Sequence, residues 1–160
     1  MNLYLMRHGI AYEVGEWNGT EFTRPLTPEG ELRTRQIIEK LKECGELQLD
    51  EIWSSPLARA RQTAEIAADV LGMKVKIVEP LQCGADLRAL MKYMKKEPPP
   101  ARLMTVGHEP DCGMMLGELL GDPMSDLSFK RAGIAHVEGE FASGGMKLIW
   151  KYAPKDILGE

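Results

Sequence analysis

A chain of 160 residues with a formal net charge of −4 has room for one ordinary hydrophobic core. It lacks the basic face that a general binder of nucleic acid or anionic membrane would need. Hydrophobic residues make up 44% and charged residues 28%, the balance of a soluble globular protein. Cys44, Cys83 and Cys112 are odd in number and show no CxxC spacing, which argues against a disulfide scaffold and for a cytoplasmic protein. The apolar run Met1 to Met6 is ended by Arg7 and His8 too soon for a signal peptide, and no stretch reaches the roughly 18 apolar residues of a membrane span.

Leu3 to Met6 is apolar throughout and reads as a short buried strand. A polar loop follows, from Ile10 to about Pro25. Thr27-Pro28-Glu29 then starts a helix, with Thr27 as N-cap and Pro28 at the first helical position. Leu32, Ile37, Ile38 and Leu41 supply its apolar stripe, and Gly45 its stop. A second round begins with the strand-like Glu51 to Ser54, after which Ser55-Pro56 is expected to open a helix with the same cap chemistry. Ala60, Ala64, Ala67 and Leu71 form the packing face of that helix, and Gly72 ends it. Lys74 to Val78 alternates and is β-branched, so it reads as a strand. Residues from Asp86 to about Lys96 are helical up to the stop at Pro98-Pro99-Pro100. Leu103 to Val106 is another buried strand, followed by Gly107-His108-Glu109-Pro110 and a helix to about Leu120. Ile134 to Phe141 and Met146 to Tyr152 make a hairpin around Gly144-Gly145.

Strands alternating with helices predict one α/β domain over residues 1–160, a three-layer α/β/α sandwich around a mostly parallel sheet. Ligands of such folds lie beyond the carboxyl ends of the strands. Three strands deliver special residues to that edge: Arg7 and His8, then Ser55 and Arg59, then His108.

Of the three histidines, His136 sits between Ala135 and Val137 in a strand and reads as structural. His8, between Arg7 and Gly9, is either a satisfied loop histidine or a nucleophile. Nearby arginines favour the neutral imidazole that a nucleophile needs, and Gly9 removes a side chain where a phosphate would approach the backbone. His108 is either a core-edge residue or a donor to a phosphoryl oxygen. Arg59 falls one turn into its helix by this reading, near an N-terminus that favours anions. Arg59 and Arg24 suit bidentate phosphate capture, though each, like Arg61, could equally be a solvated surface residue. No GxxxxGK[ST] loop, HExxH helix or GxSxG elbow is present. His8 and His108 with Asp111 or Glu109 lack metal-ligand spacing, so no metal and no cofactor are expected. Cys112 reads as a small buried filler.

Four blocks in order, Leu5-Met6-Arg7-His8-Gly9, Leu26-Thr27-Pro28-Glu29-Gly30, Ser54 to Ala64 and Val106-Gly107-His108-Glu109-Pro110, resemble the histidine phosphatase, or phosphoglycerate mutase-like, superfamily. The resemblance implies that His8 is the phosphorylated nucleophile and that Arg7, Arg59 and His108 form the phosphate pocket, with Gly9 and Arg24 as further substrate-binding residues. Within the superfamily the length and the Arg24-Pro25-Leu26-Thr27 segment are most similar to SixA-type phosphohistidine phosphatases. Many members place a glutamate general acid where this chain has Leu81-Gln82-Cys83-Gly84, with only Glu79 and Asp86 nearby. SixA-type members lack that acid as well.

The resemblance therefore implies a phosphohistidine-bearing protein as substrate, a phosphorelay domain being one such partner. Two rivals remain: a small-molecule phosphomonoesterase or mutase using Glu79 or Asp86 as acid, and a catalytically silent phosphoprotein-binding module.

Overall fold

The computed structural model describes residues 1–160. Its elements, in chain order, are β1 (Asn2–Arg7), α1 (Pro28–Glu43), β2 (Glu51–Ser54), α2 (Ala58–Leu71), β3 (Val75–Ile77) and α3 (Leu87–Lys96). There follow β4 (Arg102–Gly107), α4 (Asp111–Leu120), β5 (Ile134–Gly139), β6 (Met146–Tyr152) and α5 (Pro154–Leu158). The six strands form one sheet in the order β3-β2-β4-β1-β5-β6. The first four run parallel; β5 is antiparallel to both β1 and β6. No helix is long and apolar enough to cross a membrane.

Why the four central residues of β1, Leu3 to Met6, are all buried is visible in their neighbours. Side chains of a strand alternate between the faces, and both faces of this sheet are covered. Leu3 and Leu5 enter a core with Trp53, Leu90 and Leu116 under α3 and α4. Tyr4 and Met6 enter another with Ile37, Ile38, Ala60 and Ala64 under α1 and α2. Three of the five alanines of α2, Ala60, Ala64 and Ala67, are fully buried, so that helix lies close against the sheet.

Thr27 caps α1 as expected, its hydroxyl accepting from the Gly30 amide at 3.0 Å, and Asp86 caps α3 through the Ala89 amide at 2.8 Å. Three local expectations need correction. Leu32 is exposed; the buried stripe of α1 is Gly30, Thr34, Ile37, Ile38 and Leu41, whose spacing of four, three, one and three puts position 32 off that face. The second helix opens at Ala58, with no side-chain cap, because Ser55 still extends β2 by donating its amide to the Val106 carbonyl at 3.1 Å. Arg59 is consequently the second residue of α2 and lies at its N-terminus rather than a turn inside. The short helix α5 was not anticipated; it buries Pro154 and Ile157, and Arg33 of α1 pairs with Glu160 just beyond it at 2.6 Å.

Gly30 sits where α1 crosses the segment leaving β1. A Cβ there would fall 2.0 Å from the Ile10 carbonyl oxygen, a backbone atom that cannot rotate away. Gly30→Ala should therefore destabilise the fold by about 1–3 kcal/mol, although alanine is the better helix former. A urea midpoint equal to or above that of the parent chain would contradict this packing.

Candidate active site

Parallel pairing sets the site. Arg7 at the end of β1 is in register with Gly107, and Ser54 at the end of β2 with Val106. His8 continues the ladder by donating its amide to the Gly107 carbonyl at 3.0 Å. The chain thus leaves β1, β2 and β4 side by side, and Arg7, His8, Arg59 and His108 meet around a cavity of about 340 Å³. Arg24 joins them from the loop before α1. The rings of His8 and His108 stand 5.4 Å apart, centre to centre.

His8 is buried, and its Nδ1 lies 2.7 Å from the Gly9 carbonyl oxygen. A carbonyl can only accept, so Nδ1 carries the hydrogen and Nε2 the lone pair. Burial drives the His8 pKa down to about 3, against the opposing pull of the Gly9 bond; His108, Arg59 and Arg7 lower it further. His108 is pushed down to about 4, first by burial and then by Arg59 and Arg7. Its Nε2 is 2.8 Å from Ser55 Oγ, which already accepts from the Leu57 amide at 3.2 Å. A Ser55 hydroxyl that donates to Nε2 leaves the His108 hydrogen on Nδ1. That Nδ1 is buried with no protein partner, as are Nε of Arg7 and Nε of Arg59. Three unpartnered polar nitrogens at one cavity are a concentration that folded proteins otherwise avoid.

The guanidiniums are held from behind. Arg7 donates from Nη1 to the Phe129 carbonyl at 2.9 Å, and Arg59 from Nη1 to the Glu21 carbonyl at 3.0 Å. Gly9 plays a different part from the one expected. Its amide donates to Thr63 Oγ1, and an added Cβ would lie 2.4 Å from Thr34 Oγ1, so the space it spares serves α1 and not a phosphate.

Six cavity residues carried no phosphate-binding expectation from the sequence: Ala11, Glu13, Glu21, Cys83, Glu109 and Arg131. Arg131 pairs with Glu13 at 3.3 Å, while Glu21 pairs with both Arg24 and Arg59. The two carboxylates considered as acids are elsewhere: Asp86 caps α3, Glu79 accepts from Gln82, and neither lines the cavity. His136 stacks on Tyr4 at 4.2 Å and pairs with Asn2, away from the site. Cys112 is buried, which raises its thiol pKa. No three His, Cys, Asp or Glu side chains gather at metal-binding distance.

The family model of the histidine phosphatase superfamily (branch 1) matches residues 3–83. The chain belongs to that superfamily. A protein of Picosynechococcus with no assigned role is 38% identical over 84% of this chain and 82% of its own length. A "Probable phosphoglycerate mutase GpmB" of an Enterobacter species is 33% identical over 58% of the chain, which spans only 41% of that relative. Among solved structures, the protein histidine phosphatase SixA complexed with tungstate superposes with a TM-score of 0.82 at 25% identity, covering 98% of this chain and 99% of that one. A SixA structure from Agrobacterium tumefaciens gives 0.78 at 24% identity, covering 96% and 97%, and so speaks for the fold alone.

As in any superfamily member that keeps its two site histidines neutral, burial has a consequence for acid stability. The unfolded chain takes up protons at both rings near their ordinary value of 6.5, while the folded chain does so only near 3 and 4. Stability contributed by the neutral rings is complete above pH 6.5 and is lost as the pH falls toward 4. His8→Asn and His108→Asn should each flatten the decline of the urea midpoint across that window. An unchanged slope in both variants would mean that the rings titrate as they do in water.

Proposed function

We propose that this superfamily member hydrolyses phosphohistidine on a protein, through a covalent phosphohistidine at His8, without a metal ion. The observation that carries the reading is the His8 Nδ1 to Gly9 bond, because it fixes both halves of the reaction. With the hydrogen on Nδ1 and the ring kept neutral, the Nε2 lone pair attacks phosphorus in line. The bond from phosphorus to the substrate ring breaks, and a proton on that ring's other nitrogen lets it leave as neutral imidazole. Water then attacks phospho-His8. Since Nδ1 is already protonated, cleavage of the bond from phosphorus to Nε2 returns neutral His8 and orthophosphate.

Arg7, Arg59 and His108, the last through its Nδ1–H, stabilise the three equatorial oxygens, and Arg24 adds charge at the entrance. Four arginines at the cavity supply the positive charge that a metal would otherwise bring, and they repel a cation. The SixA neighbour, which holds tungstate and is named as acting on phosphohistidine, supports this substrate class. Phosphoglycerate mutase-type relatives favour a small-molecule phosphate instead. Against that alternative, every carboxylate in the cavity is already engaged: Glu13 with Arg131, Glu21 with two arginines, and Glu109 with the Gly113 amide at 2.7 Å. An alkoxide leaving group would want a free acid, a contribution of about 10²–10⁴-fold.

Rapid quench with labelled phosphohistidine protein should trap an acid-labile, base-stable phosphoenzyme. It should vanish in His8→Ala together with at least ~10³-fold of kcat/KM, and Arg59→Ala should cost about 10²-fold. Turnover of phosphoglycerate faster than of phosphohistidine protein would replace the substrate assignment.

Exhaustive chelation should leave the rate unchanged. Loss of activity restored by Zn²⁺ or Mg²⁺ would require a metal-assisted mechanism.

A further inference from the structure

Arg24 and Arg59, two arginines of the cavity, close on the same carboxylate. Arg24 donates to Glu21 from Nε at 3.0 Å and from Nη2 at 2.7 Å, a two-pronged grip on both oxygens. Arg59 Nη2 approaches Oε1 of the same group at 3.0 Å. This is the planar, bidentate geometry with which arginine takes a phosphoryl group. The partners are unequally solvated. The side chains of Arg24 and Arg59 are 14% and 5% exposed, whereas that of Glu21 is 54% exposed. Desolvated guanidiniums need an anion beside them, while a half-exposed carboxylate can return to water at little cost.

We propose that Glu21 is an internal competitor at the phosphoryl site, an anion that an entering phosphoryl group must displace from Arg24 and Arg59. Two anions cannot share that grip, because each would face the other's charge across a few ångströms. Glu21 is carried on the loop between β1 and α1. Its side chain is the anion there by default, held ionised across the neutral range by its bond to Arg24 first of all.

Displacement raises the dissociation constant of every anion that takes the grip by one common factor. A free phosphate ion or a small ester has only its contacts with the arginines to set against that factor, whereas a phosphoryl group borne on a protein adds contacts from its large leaving group. Glu21 thereby keeps product orthophosphate weakly held. The inference rests on the cavity being a phosphoryl site, and the test is arranged to separate the two.

The measurement is calorimetric titration of orthophosphate at constant ionic strength into the parent chain, Glu21→Gln and Glu21→Ala, with near-UV circular dichroism to verify folding. Both substitutions should lower the orthophosphate Kd by about tenfold, the scale of losing one charge-assisted competitor. Each should lower KM for phosphohistidine protein by a comparable factor, because both ligands displace the same carboxylate. Unchanged or weaker orthophosphate binding by the folded variants, with the parent chain binding normally, would overturn the role of Glu21 and show that it merely positions the arginines. Failure of all three proteins to bind orthophosphate would overturn the phosphoryl site itself, and the role of Glu21 with it.

Discussion

β4 lies between β1 and β2, parallel to both, and their common register ends at Val106 and Gly107. Everything chemical in the molecule depends on that alignment. Parallel strands whose carboxyl ends finish together release their connections into one crevice, whatever the distance between them in sequence. Here it unites residues 7 and 8, 55 to 59, and 108. The Gly107 carbonyl accepting the His8 amide and the Val106 carbonyl accepting the Ser55 amide carry the ladder one step past the strands. His8 and Ser55 are therefore fixed by backbone bonds to β4, which is what rigid placement of a reacting group requires.

Positive charge and burial oppose each other in the resulting cavity, and their balance gives the site its character. The arginines keep their protons because guanidinium is so weakly acidic; the imidazoles beside them give theirs up. The same desolvation that makes a buried cation costly makes a neutral histidine favourable, so one environment yields fixed charge and a free lone pair together. Three carboxylates from two segments, Glu13 and Glu21 of the loop before α1 and Glu109 after β4, face the arginines, and each of them has a partner within the protein. Four arginines against three carboxylates leave the cavity with an excess of positive charge. Admission of a phosphoryl group is then an exchange of one anion for another.

The family model spans residues 3–83, the stretch that builds β1, α1, β2, α2 and β3 and carries Arg7, His8, Arg24 and Arg59. Substrate choice depends on what surrounds the sheet edge. In this chain that is a loop of 13 to 24 held by ion pairs, and a segment at Cys83 whose Gly84 amide is tied to Asp111 at 2.8 Å.

Periodicity and cap chemistry in the sequence determined the alternation of strands and helices, the Thr27 cap and the delivery of His8, Arg59 and His108 beyond the strand ends, because these are short-range properties of the chain. Local signals misled at Ser55, whose amide continues β2 by bonding the Val106 carbonyl, and at Gly9, whose small size answers to Thr34 of α1. Leu32 misled because a hydrophobic residue near a stripe is not thereby on it. Glu13, Glu21 and Arg131 carried no mark at all: a charged residue in a loop looks alike whether it faces water or a buried arginine. Only tertiary structure decides that, since the partner charges come from segments up to 118 residues distant and the energy of each pair is set by how much solvent the fold leaves between them.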